Sequence, residues 1–189
     1  MYTKIIKITG DWIDVLNSAR TTVNKKEVNK APSSKWKRRI LLAEHSPIRK
    51  LNINFKWFKL PYWVSVHFVR HKFGIEHWVR SQRDDKTNIN RDEIFQSAEI
   101  EHEVMANPQA IINISRKRLC SNAKEETRIA WINMLKKLEE YEPELVSCCV
   151  KDCIYRGYCY EMNSCGYFKS QAYLQELAEY RRGINEQYM

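Results

Sequence analysis

A proline at position 61 separates two segments of opposite period, and that junction constrains the chain more than any other feature of its sequence. Before it, residues 51–57 (Leu-Asn-Ile-Asn-Phe-Lys-Trp) alternate apolar and polar, the pattern of a strand with one buried face. Pro61 ends that strand and suits the first turn of a helix, where a missing N–H costs nothing. The helix is predicted over residues 62–72, with Gly74 as its C-terminal stop. On it His67, Arg70 and His71 are spaced i, i+3, i+4 and share a face beside Trp63. Cationic or titratable groups crowded on a half-buried face repel one another unless an anion joins them; a solvent-exposed polar stripe is the alternative.

The remaining chain divides at similar signals. Residues 11–20 place Trp12, Ile13, Val15, Leu16 and Ala19 at helical spacing, and a second helix is predicted over residues 34–43, capped by Ser33 or Ser34. Residues 88–103 are polar and acidic and read as a loop opening into a helix over residues 103–119, with Ile111, Ile112, Ile114 and Leu119 on its apolar side. A break is expected next, because Asn122 and Glu125 stand at capping-box spacing. The following helix, residues 123–140, is expected to bury Ile129, Trp131, Met134, Leu135 and Leu138. No internal repeat or low-complexity segment interrupts this order.

Aromatic content supplies apolar surface for a folded domain: 6 Trp, 10 Tyr and 6 Phe in 189 residues that are 43% hydrophobic. No apolar run approaches the roughly 20 residues that cross a bilayer, and the first residues lack a signal-peptide core. A cytoplasmic protein is therefore expected, whose 6 cysteines serve as thiols or metal ligands sooner than as disulfides. The net charge of +9 suits polyanions without separating nucleic acid from nucleotides and phosphate-bearing cofactors. Much of it lies in residues 25–39, read as a solvated loop entering a helix, and in residues 116–128. Residues 148–165 hold 5 of the cysteines, spaced Cys149-x3-Cys153-x5-Cys159-x5-Cys165 with Cys148 to spare. Four such thiolates are able to close a zinc site or hold an iron–sulfur cluster, although zinc sites favour closer pairs and only the first pair conforms. Buried reduced thiols and disulfides stay open beside a metal. Cys120, isolated, is expected in the core.

Three blocks resemble, in order, the flavin-dependent thymidylate synthase family. Residues 18–22 (Ser-Ala-Arg-Thr-Thr) and 41–46 (Leu-Leu-Ala-Glu-His-Ser) are similar to its early Ala-Arg helix and its Glu-His motif. Residues 66–72 (Val-His-Phe-Val-Arg-His-Lys) followed by Ser81-Gln82-Arg83 resemble its signature of Arg-His-Arg, seven residues, Ser, and Arg two positions later. Lys72 replaces the third basic residue, and one extra residue precedes Ser81. Residues 107–128 follow without a gap the family's helix pair, running from Asn-x-Arg through Leu-Arg to Ala-Gln-x-Glu-Ile-Arg.

The resemblance covers residues 10–140. It implies an α+β fold, with helices packed around a twisted, mainly antiparallel sheet, and a homotetramer that shares active sites between subunits. The reaction it implies is reductive methylation of dUMP to dTMP, with methylenetetrahydrofolate as carbon donor, FAD as hydride carrier and NADPH as reductant. FAD contacts are implied at Ser46, Arg70, His71, Lys72, Arg118 and Asn122, and dUMP contacts at His67, Ser81 and Arg83. Arg128 matches the catalytic arginine that stabilises ionised uracil N3. Departures accompany the matches: Gln109 and Asp84 replace an Arg and a Tyr, and Ile100-Glu101-His102 stands where many members carry Tyr-Thr-Arg for the dUMP phosphate. That leaves the phosphate to groups such as Arg80 or Lys86, or implies a different pyrimidine nucleotide. On this reading residues 1–145 form the family-like domain and residues 146–189 a Cys-rich extension. The competing class is a basic, non-enzymatic nucleic-acid-binding protein with a zinc element, which the clustering of basic residues at motif positions disfavours.

Overall fold

The computed structural model describes residues 1–185. β1 (Tyr2–Thr9) leads into α1 (Trp12–Thr21), where the Asp11 side chain accepts the Asp14 N–H at 2.8 Å, and then α2 (Ser34–Leu42), capped by Ser33. A 3-10 turn at Ser46–Lys50 precedes β2 (Asn52–Pro61), α3 (Tyr62–Phe68), β3 (Ile75–Val79) and the single turn α4 (Asp84–Thr87). β4 (Glu99–Ala106), α5 (Pro108–Arg118) and α6 (Glu125–Glu139) follow, then α7 (Pro143–Val146), α8 (Asp152–Arg156) and α9 (Gln171–Asn185). The strands form one sheet in the order β1–β2–β4–β3 with antiparallel pairing throughout, so the α+β class with helices against an antiparallel sheet is as expected.

Alternation along β2 buries Ile53, Phe55 and Trp57 toward α6. There Trp57 donates its indole N–H to the Ala130 carbonyl at 3.1 Å and stacks on Phe68 with ring centroids 4.3 Å apart. Trp131 packs on both rings from α6 and donates to Ser115 Oγ, on α5, at 2.9 Å. Large aromatics buried together, with both indole N–H groups satisfied, fix α3, α5 and α6 over the sheet. Beyond α7 the main core ends with Cys148 and Cys149, and Ile154, Tyr173 and Leu177 form a separate small cluster. Among the described residues no helix is long and apolar enough to cross a membrane.

The departures from expectation lie at the joints. The helix expected over residues 62–72 stops at Phe68, because the chain turns back to lay β3 against β4. Arg70 and His71 therefore lie beyond the helix. Gly74, expected as a helix stop, instead takes φ +72° where the chain enters β3, and a Cβ there would stand 2.5 Å from Asn107 Nδ2. The helix expected over residues 103–119 begins only at Pro108, since Glu99–Ala106 is β4. Ile100, His102, Val104 and Ala106 alternate as buried residues, and pairing with a strand on each side outweighs the helix propensity of the intervening Glu and Met. Asn107 then caps α5, accepting the Ala110 N–H at 2.9 Å. The last of these helices, α6, starts at Glu125 with Lys124, not Asn122, at its cap position, and Ile129 is 41% exposed where burial was expected. β1 and β3 correspond to no element read from the sequence.

Candidate anion-binding site

The segment between α3 and β3 folds against the end of α5. Arg118, in the last turn of α5, donates from Nε to His71 Nε2 at 2.9 Å and from Nη2 to the His67 carbonyl at 2.5 Å. His67 Nδ1 shares a hydrogen bond of 2.8 Å with Thr127 Oγ1, in the first turn of α6 and one residue before Arg128. Arg70 lies close enough to Arg118 and His67 to disfavour their charged forms. His67, Arg70 and His71 are thus grouped as expected, but Arg118 gathers them in place of a continuous helix.

Electrostatics follow from that crowding. Burial, then the Arg118 charge, lowers His71 to about 4, and the same two causes, with Arg70 added, depress His67. Both imidazoles are therefore neutral near pH 7, leaving the positive charge to the arginines. No ion pair joins these groups to a carboxylate among the described residues. Arg128, half-buried, likewise makes no side-chain hydrogen bond or ion pair to a described residue. Guanidinium groups crowded together without a carboxylate repel each other, and a bound anion relieves the repulsion through charge-assisted bonds.

A second layer holds this one. His77 on β3 bonds its Nε2 to the His71 carbonyl at 3.0 Å and its Nδ1 to His102 Nε2, on β4, also at 3.0 Å. Burial depresses both, His102 to about 3. His77 and Thr127 escaped the sequence reading, and His102 entered it only as a departure from the family's phosphate-binding triplet. The usable signal was the period-2 alternation that puts His77 and His102 on one face of neighbouring strands, hidden while residues 88–119 read as loop and helix.

β3 separates the two halves of the sequence signature. Ser81 and Arg83 follow its far end, so the 5 residues of the strand, at about 3.3 Å each, stand between them and Gly74. Arg83 closes on Asp85 with bonds of 2.9 and 3.1 Å, both side chains exposed. Ser81 lines a hollow of about 260 Å³ together with Arg80, Lys86, Ile94 and Ile100. Lys72 and Ser46 are exposed. Beside Ser46, Glu44 accepts Gln109 at 2.5 Å and pairs with Arg116, which ties this turn to α5 and gives Gln109 a partner where the resemblance has Arg. Asn122 is exposed and, in place of capping α6, donates to the Asn163 carbonyl at 2.6 Å.

The expected metal set Cys149, Cys153, Cys159 and Cys165 is not assembled: among the described residues no group of His, Cys, Asp or Glu is placed to hold a metal ion. The physical reason lies in Cys149, which packs on the main core, donates to the Leu145 carbonyl at 3.4 Å and is pushed up to about 12 by burial. All 6 cysteines are free thiols, and Cys120 is half-buried where a core position was expected.

The α+β fold built on this four-stranded antiparallel sheet is shared with solved structures. The crystal structure of flavin-dependent thymidylate synthase ThyX from Helicobacter pylori, complexed with FAD and dUMP, superposes with a TM-score of 0.66 at 14% identity, over 80% of this chain and 100% of that one. A second structure of Helicobacter pylori ThyX with FAD and dUMP, at 2.31 Å resolution, gives the same score and identity over 80% and 99%. At this identity the likeness shows the fold. No family model and no curated protein matches the sequence.

Proposed function

We propose that the chain catalyses FAD-dependent reductive methylation of dUMP to dTMP, taking the carbon from methylenetetrahydrofolate and reducing power from NADPH. The observation that carries this reading is the Arg70–Arg118 pair beside neutral His67 and His71, a donor-rich cationic site that fits the pyrophosphate of FAD. The solved structures of like fold contain FAD and dUMP, in agreement. Arg70 and Arg118 would hold the pyrophosphate, with His71 orienting Arg118, and Ser46, Lys72 and Asn122 are the further FAD contacts that the resemblance implies. Bound FAD supplies the hydride transfer. Arg128, following the Thr127 that bonds His67, sets its unpaired guanidinium beside the uracil ring, whose developing negative charge at N3 it stabilises.

Ser81 and Arg83 meet dUMP from the far end of β3, with Arg80 and Lys86 offering charge for its phosphate in the shared hollow. A homotetramer in which subunits share active sites unites these residues with the Arg118 end of another copy. Residues 1–145 then form the catalytic domain, residues 146–189 an appendage bonded to it at Asn122, and the cytoplasm is the compartment that suits free thiols.

Purified protein is expected to carry, or take up, FAD with its visible absorbance bands, and to release the C5 hydrogen of labelled dUMP. A colourless protein that binds no added FAD overturns the reading. Arg128→Ala is expected to lower turnover by about 100-fold or more while FAD remains bound; loss of the fold instead shows a structural arginine. A flavoprotein acting on another pyrimidine nucleotide is the second reading. It is favoured by His102, fully buried against His77 at a position where the resemblance has a phosphate-binding arginine. FAD binding without label release from dUMP selects it.

A further inference from the structure

The buried histidine pair His77–His102 has a proton arrangement that its partners dictate. The His71 carbonyl can only accept, so His77 carries its hydrogen on Nε2 and presents a bare Nδ1. His102 must therefore donate from Nε2 to that Nδ1. Its own Nδ1 is left as a bare acceptor, buried and without a hydrogen-bond partner among the described residues. Two imidazoles packed only for bulk would not strand a polar atom, because burying an unpartnered acceptor is costly. Among the described residues, the charged or titratable groups facing the pair are Glu76 and His71 at His77, and His77 at His102.

What the pair holds is the segment that bears the site. Residues 69–74 have no regular structure. Their backbone is fixed at one end by Val69 and His71 donating to Ser65 and Phe68, and at the other by Asn107 donating to the Gly74 carbonyl at 2.9 Å. Between those ends, among the described residues, the side-chain holds from outside the segment are His77 on the His71 carbonyl and Arg118 on the His71 ring. The His71 ring accepts from Arg118 at Nε2, so its hydrogen sits on Nδ1.

We propose that His77 and His102 are positioning residues of the anion site: His102 fixes the tautomer of His77, and His77 pins the His71 carbonyl so that the segment presents Arg70 and the His71 acceptor to Arg118. The proposal rests on the flavin reading for its ligand. FAD titration of His77→Phe is expected to show affinity weakened about fivefold to tenfold, the worth of one hydrogen bond. His102→Phe should weaken it less, and His77→Gln, whose amide can still donate to the carbonyl, should restore most of it. A folded His77→Phe with unchanged affinity, or a Gln variant as weak as the Phe variant, overturns the proposal. Should His77→Phe fail to fold, long-range nitrogen–proton spectra of the wild-type imidazoles decide: neutral His77 and His102 both protonated at Nε2, with His71 at Nδ1, support it, and any other pattern overturns it. If the wild type binds no FAD the flavin reading fails by itself, and inorganic pyrophosphate becomes the probe for the same variants, equal affinities overturning the proposal.

Discussion

The two ends of β3 bear the two halves of one sequence signature and are built on different principles. At the Ile75 end, cationic groups sit on a packed floor: Phe68 lies under Arg118, stacked on Trp57, and histidines wire the loop to the sheet. At the Val79 end, residues 80–98 contain only short turns, Arg83 is neutralised by Asp85 in solvent, and Phe95 is 81% exposed. The first end has its geometry before a ligand arrives. The second has the right residue types and takes its geometry from whatever binds or packs there.

The largest expected effect tests the packed floor. Phe68→Ala removes a fully buried ring from the Trp57–Trp131 cluster and should cost about 3–5 kcal/mol in urea unfolding, with FAD affinity falling alongside. A loss below about 1 kcal/mol would mean that this end is no more ordered than the other. Next, Arg118→Ala should weaken FAD binding about 10- to 100-fold, since it deletes a charged donor and leaves His71 without its partner. Acidification gives a smaller, graded effect. The folded state holds His71 and His102 at about 4 and about 3, below the ordinary 6.5, so the unfolded chain binds protons first as pH falls. Stability should therefore be full above about pH 6.5, decline below it, and level off once pH passes the folded values. Thermal unfolding across that range measures the slope, and His102→Phe should make it shallower. The smallest effect belongs to the loose end: Asp85→Asn should change stability by no more than about 0.5 kcal/mol, because the pair it breaks is solvent-exposed.

The same contrast sets what the sequence revealed. Local signals carried α1, α2, β2 and the start of α3, where caps, Pro61 and a clear period agree with the final packing. β4 was misread because Glu-Val-Met-Ala favours a helix until two neighbouring strands claim its backbone. With β4 lost, His102 had no visible face, and its bond to His77 was beyond reach. Arg118, Arg70, His67 and His71 were named from spacing and resemblance and do converge, whereas the early end of α3 and the partner of Asn122 depended on contacts distant in sequence. The cysteines are instructive: their clustering in sequence left a metal site open beside buried thiols and disulfides, but Cys149 packs on the main core while Cys153 packs on the small one.

Gly74 has a consequence beyond its own turn. Its carbonyl takes the N–H of Asn107, the residue that caps the start of α5, while His71, three positions earlier, takes Arg118 at the helix's last turn. A helix of 11 residues, about 16 Å long, is thus gripped at both ends by one short loop. Any side chain at position 74 would crowd the Asn107 cap, and a displaced cap is expected to be felt through the helix at Arg118. Positions 74, 107 and 118 are therefore expected to be inherited as a unit, with a change at the glycine surfacing as altered ligand affinity in a lineage whose other residues are free to drift.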